Sequence, residues 1–163
     1  HDWLTHADGP DIPTAQLHPI PVADAMAAGH GPEWAAARYS AELERVLPRR
    51  DGIPSFDVLL LGLGGDGHIL STFPGTSPIA EQRVPALAGA APTHIEPHLP
   101  RITLAPFLLR AAASVVVMVP GAAKAAVVAD SLGSPWEPQR LPAQLAIVPH
   151  AVWLLEAGSA SAL

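Results

Sequence analysis

Asp66, Gly67 and His68 close the stretch FDVLLLGLGGDGH (residues 56–68) and carry the clearest chemical potential in this chain. A neutral imidazole titrates near neutral pH and can take a proton from water, so His68 is a candidate general base. The Asp66 carboxylate can orient that ring or bind a substrate hydroxyl. Gly64, Gly65 and Gly67 let backbone amides point into a crevice, where they can hold hydroxyl or oxyanion oxygens. A plainer alternative has the same Asp and His capping a short helix from Asp66 to Phe73. The residue types alone leave both readings open.

Gly62-x-Gly64-x-x-Gly67 also has the spacing of the dinucleotide-binding fingerprint. That use needs a full helix after the third glycine, a second strand, and an acidic residue about 20 positions on. Here Pro74-Gly75 cuts the helix short, and TSPIAEQRVPALAGAAP follows instead of a strand. Asp66 would also press its charge against a pyrophosphate. The context therefore argues against a nicotinamide cofactor.

The elements that must position this loop follow from periodicity. Residues 1–32 are rich in Pro, Gly, Asp and His and read as loop with short turns. EWAAARYSAELERVL (33–47) reads as a helix with Ala36, Tyr39, Leu43, Val46 and Leu47 on one face. Residues 48–54 read as a connector. Phe56–Leu63 is a nearly continuous apolar run, predicted to be a strand buried on both faces. Residues 76–100 read as irregular. A short helix is predicted after Pro106, a second buried strand over 114–121, and a helix over 122–133 closed by Gly133. Residues 135–142 read as loop, and AVWLLEAGSASAL (151–163) as a strand and the start of a terminal helix. Strands alternating with helices predict a single α/β domain over 1–163, an open and mostly parallel sheet with helices on both faces.

Composition narrows the function classes. The chain has 163 residues, enough for one domain with a real core, and 49% of them are apolar. The formal charge is −6, and no basic cluster is longer than Arg49-Arg50, so a nucleic-acid face is not expected. With no cysteine there is no disulfide or thiolate chemistry. The apolar runs are too short to span a bilayer and no signal-peptide pattern opens the chain, so a cytoplasmic protein is expected. Lys124 is the sole lysine against eight arginines. In a chain this biased toward Arg, a retained lysine invites a functional reading.

FDVLLLGLGGDGHILSTFPG closely resembles the signature of the 6-phosphogluconolactonases. PRITLAPFLLRAA resembles that family's R-I-T-L-T segment, with Ala105 in place of the second Thr. VVVMVPGAAKAAVV, PAQL and VWLLEAGSASAL resemble its later segments, with Glu156 where Asp is usual, and LHPIP fits upstream. The resemblance implies a three-layer Rossmann-like fold and hydrolysis of 6-phospho-D-glucono-1,5-lactone, with His68 as the base that activates water. It implies neither metal nor cofactor, and a small-molecule sugar phosphate lactone as the only partner of a monomer. Arg101 and Lys124 match positions expected to contact the substrate phosphate. An arginine fork and a lysine at a helix start both suit that anion.

Two neighbouring readings stay open. The related glucosamine-6-phosphate deaminases share the D-G-H loop but carry a glutamate five residues after the histidine, where this chain has Phe73. A non-catalytic sugar-phosphate-binding domain would keep Arg101 and Lys124 without needing His68. The family's glycine-rich S-G-G-[ST]-P loop and D-E-R segment have no counterpart here, so an N-terminally truncated copy, weakly active or inactive by itself, is expected. His94-x-Glu96-x-His98 has zinc-ligand spacing but lies among prolines, which favours a solvated loop. Ser71 reads as a capping or buried serine. His1, His6, His18, His30 and His150 show no constellation. Trp34, Trp136 and Trp153 read as packing residues.

Overall fold

A computed structural model describes residues 4, 9–90 and 92–163. His1 and His6 lie outside them. The centre is a parallel sheet of β3 (Val58–Gly62), β6 (Ser114–Val119) and β7 (Ala151–Leu155), in the order β3-β6-β7. Leu59 pairs with Val115, and Val117 with Trp153. β-branched and leucine side chains suit the pleat, and β6, hydrogen-bonded on both edges, is nearly all valine.

Side chains alternate across this sheet. Leu59, Leu61, Val115, Val117 and Val119 are buried and pack on Val127 and Val128 of α3 (Ala125–Gly133). Leu109, Leu141, Ala143 and Ala146, from 3-10 turns and their flanks, complete that layer. Each fully buried valine contributes roughly 1.5–3 kcal/mol relative to exposure. The opposite face is different. Val58, Leu60, Met118, Val152 and Leu154 are 52%, 63%, 43%, 50% and 53% exposed. The predicted burial on both faces therefore fails. Among the described residues, one layer covers the sheet and the other side is bare.

A second unit flanks the sheet. β4 (Ala86–Gly89) pairs antiparallel with β5 (Arg101–Leu104), and the pair packs on α2 (Pro32–Val46). The predicted helix over 33–47 agrees within a residue. Its buried face is Ala35, Ala36, Ser40 and Leu43, shifted from the predicted stripe because Ser40 points inward. Its hydroxyl donates to Ala86 O at 2.8 Å and accepts from Ala86 N at 2.9 Å. Neither β4 nor β5 was legible from periodicity, since each has four residues.

Other departures have local causes. VADAMA forms α1 (Val22–Ala27) inside the region read as loop, because its Ala-rich run buries Ala25. Residues 49–54 are a hairpin of β1 (Arg49–Arg50) and β2 (Ile53–Pro54), closed by Asp51-Gly52 with φ of 52° and 80°. Two successive positive φ values are what a tight two-residue hairpin requires. After β7, residues 157–162 form turns rather than a terminal helix. Among the described residues no helix is long and apolar enough to cross a membrane.

Candidate active site

The loops at the carboxyl ends of the parallel strands meet on one edge of the sheet, where open α/β folds bind ligands. The loop after β3 does not open a helix. Gly67 has φ 85°, Leu70 has φ 56°, and Ile69 and Thr72 bridge each other, so the backbone folds into successive turns. Ile69 and Thr72 are fully buried and fix these turns to the core. Gly67 O accepts from Ala143 N at 2.8 Å, and the Ser71 amide donates to Thr103 Oγ1 at 3.0 Å. The helix-capping alternative for Asp66 and His68 is thereby removed.

The same turns bring Asp66 and His68 together. His68 Nδ1 lies 2.6 Å from Asp66 Oδ1, and the His68 amide donates to that oxygen at 3.2 Å. Both side chains are largely buried, 21% and 23% exposed. Gly64 makes this possible. A methyl group there would overlap Nδ1 and Cε1 of His68 and stand 2.7 Å from Asp66 Oδ1. Gly64 N in turn donates to His68 O at 2.8 Å, so the loop closes on itself. The third glycine of the fingerprint serves packing, since a Cβ on Gly67 would meet Leu141 at 2.9 Å.

One residue that sequence reasoning set aside joins this pair. His94 Nε2 lies 2.6 Å from Asp66 Oδ2, so Asp66 bridges two imidazoles. Phe73 is buried and walls both rings, with its centroid 4.5 Å from His68 and 6.0 Å from His94. Burial pushes the Asp66 carboxyl up, but hydrogen bonds from His94 and His68 outweigh it and hold the group below the ordinary aspartate value. His98 pairs instead with Glu96 at 3.4 Å, so the zinc-like spacing does not unite the two histidines. His94 was overlooked because its partner is 28 positions away, and only the closing of the 92–100 loop reveals it.

His68 opens on a cleft of about 510 Å³ lined by Leu60–Gly64 and Leu70, on the bare side of the sheet. Its Nε2 has no hydrogen-bond partner among the described residues. Lys124 ends a 3-10 turn (Ala122–Lys124) that leads into α3, and its ammonium lies over Gly65, 3.7 Å from where a Cβ would stand. Glu156 accepts a bond from Gly121 N at 2.6 Å, fixing the turn that carries Lys124. Arg101 is not in this cluster. Its guanidinium donates to Leu99 O at 2.6 Å and Pro97 O at 2.8 Å. It does share a strand face with Thr103, which touches the loop after His68.

The profile of glucosamine-6-phosphate isomerases/6-phosphogluconolactonase matches residues 1–154. The 6-phosphogluconolactonase of Synechocystis sp. is 36% identical over 157 residues, 94% of this chain and 60% of that protein. That of Mycobacterium leprae is 34% identical over 152 residues, with 93% and 60% covered. The solved 6-phosphogluconolactonase of Trypanosoma brucei superposes with a TM-score of 0.78 at 29% identity, covering 93% of this chain and 62% of that one. The chain thus spans about 60% of the length of these curated relatives. With the family profile matching residues 1–154 and curated relatives 34–36% identical over more than nine-tenths of the chain, the chain belongs to the glucosamine-6-phosphate isomerase/6-phosphogluconolactonase family.

Proposed function

We propose that this chain carries the hydrolytic site for 6-phospho-D-glucono-1,5-lactone, giving 6-phospho-D-gluconate. The observation that carries the reading is the Asp66–His68 pair at 2.6 Å, with His68 lining the cleft and its Nε2 unpartnered among the described residues. Asp66 accepts a hydrogen bond from Nδ1–H and so holds His68 in the tautomer whose Nε2 is basic. Nε2 takes a proton from water as the water oxygen attacks the lactone carbonyl. The proton then passes to the ring oxygen as the C–O bond breaks. The amides of Gly65 and Asp66, unpartnered among the described residues, suit the developing oxyanion. No covalent enzyme intermediate is needed.

Lys124 is assigned the substrate phosphate, and Arg101, which lies outside the Asp66–His68–Lys124 cluster, is the second candidate for it. Lys124 brings its charge to the loop, and Arg101 spends two of its five N–H donors on Leu99 and Pro97, leaving the rest for an anion. Phe73 supports lactonase over deaminase chemistry, because an apolar ring lies against His68 where a deaminase would place a carboxylate. A three-layer Rossmann-like arrangement belongs to the same reading, with the further layer on the bare, apolar face of the sheet.

Loss of 6-phosphogluconolactone, measured against its spontaneous hydrolysis, tests the reading. In the complete protein acceleration is expected and His68→Ala should abolish it, with circular dichroism unchanged; this chain by itself is expected to be weakly active or inactive. An unaltered rate in His68→Ala would remove the general-base role. Binding of 6-phosphogluconate without turnover would favour a sugar-phosphate-binding domain, and ammonia release from glucosamine 6-phosphate would favour the deaminase.

A further inference from the structure

We propose that His94 is a positioning residue that sets the base strength of His68 through their shared carboxylate. The inference rests on the general-base role given to His68. Asp66 divides its two oxygens between two rings: Oδ1 faces His68 Nδ1 and Oδ2 faces His94 Nε2, both at 2.6 Å. A donor on Oδ2 draws charge from the carboxylate, and a carboxylate with less charge favours the imidazolium form of His68 less. If His94 is itself protonated, its positive charge acts in the same direction. The sign of the effect is therefore the same in either state of His94: removing its contact with Asp66 makes His68 the stronger base.

The geometry separates this tuning from simple scaffolding. Asp66 does not need His94 to stay in place, because Oδ1 also accepts the His68 amide at 3.2 Å. The charged groups around the pair are few. Lys124 approaches from the turn after β6 and lies over Gly65. Glu96 and His98, on the loop that carries His94, pair with each other. Arg101, at the end of that loop, is bound to Leu99 and Pro97. Phe73 contributes an apolar wall to both rings. No other acid among the described residues bonds to either imidazole.

Titration of the His68 ring by NMR, with no substrate present, tests the inference in His94→Ala and His94→Gln. His94→Ala should raise the His68 midpoint by about half a unit. The rising limb of the pH–rate profile should move by the same amount, about a threefold loss of rate at pH values below the midpoint. The glutamine amide can still donate to Asp66 and should restore most of the wild-type midpoint. A His68 midpoint in His94→Ala within 0.1 unit of wild type, or a fall, would overturn the proposal. So would a glutamine variant indistinguishable from alanine. A shifted midpoint together with no lactone hydrolysis by the complete protein would leave the pairing intact and sink only the lactonase reading.

Discussion

Replacing Gly64 by alanine adds one methyl group at the tightest point of the site. The glycine is not held at positive φ, so the backbone tolerates alanine and the penalty is steric. The new Cβ would overlap Nδ1 and Cε1 of His68 and crowd Asp66 Oδ1. The Gly64 N–H is bonded to His68 O, which keeps the backbone from moving away. The ring must therefore rotate and give up its contact with Asp66. A hydrogen bond to a charged partner is worth about 1.5–3 kcal/mol. Losing it should lower the proposed lactone hydrolysis of the complete protein by a factor of roughly 10 to 150, at about 1.4 kcal/mol for each tenfold. The assay is initial-rate hydrolysis at saturating substrate, with NMR of the His68 ring as a structural control. The rate should fall while the substrate affinity proposed to rest on Lys124 changes little. Hydrolysis within twofold of wild type, with His68 resonances unmoved, would show that the loop accommodates a side chain and that the glycine has another purpose.

Ser40→Ala should leave Ala86 N and O without partners in the buried contact between α2 and β4. About 2–3 kcal/mol should be lost, roughly a 5–10 °C fall in Tm for a chain of this length, read by differential scanning calorimetry; an unchanged Tm would refute it. Acid should act through Asp66. Its folded-state pKa lies below the ordinary value, so its contribution to stability is complete above about pH 4 and is lost as pH falls through the depressed value. Asp66→Asn should therefore lose stability at neutral pH yet show a shallower acid-induced decline in urea melts; parallel declines would contradict the assignment.

The parts of this fold that were legible share one property: their signal is local. The valines of β6 and the alanine-spaced face of α2 announce a strand and a helix within a dozen residues. Asp51-Gly52 was equally local, and its hairpin could have been read from the turn chemistry alone. The site divides the same way. Asp66 and His68 are two positions apart, and the crowding at Gly64 follows from that closeness. His94 reaches Asp66 only because β4 and β5 pair and return the 92–100 loop to the sheet edge. Four-residue strands that pack against a helix carry too little periodicity for that return to be foreseen. The one-sided sheet is a different case. Its outward residues Val58, Leu60 and Val152 are as apolar as its inward ones, so hydropathy cannot tell a covered face from an open one.

That open face also shapes how the chain responds to heat. The heat capacity increment of unfolding arises from apolar surface that unfolding newly hydrates. While no further layer covers that face, Leu60, Met118 and Leu154 are in contact with water in the folded state, so they add little to it. The increment per residue should sit below that of a fully covered sheet of the same length, and the stability curve should be correspondingly flat. Any molecule that seats itself on those side chains would bind the folded form alone. It would steepen the curve and make the midpoint of melting depend on its own concentration.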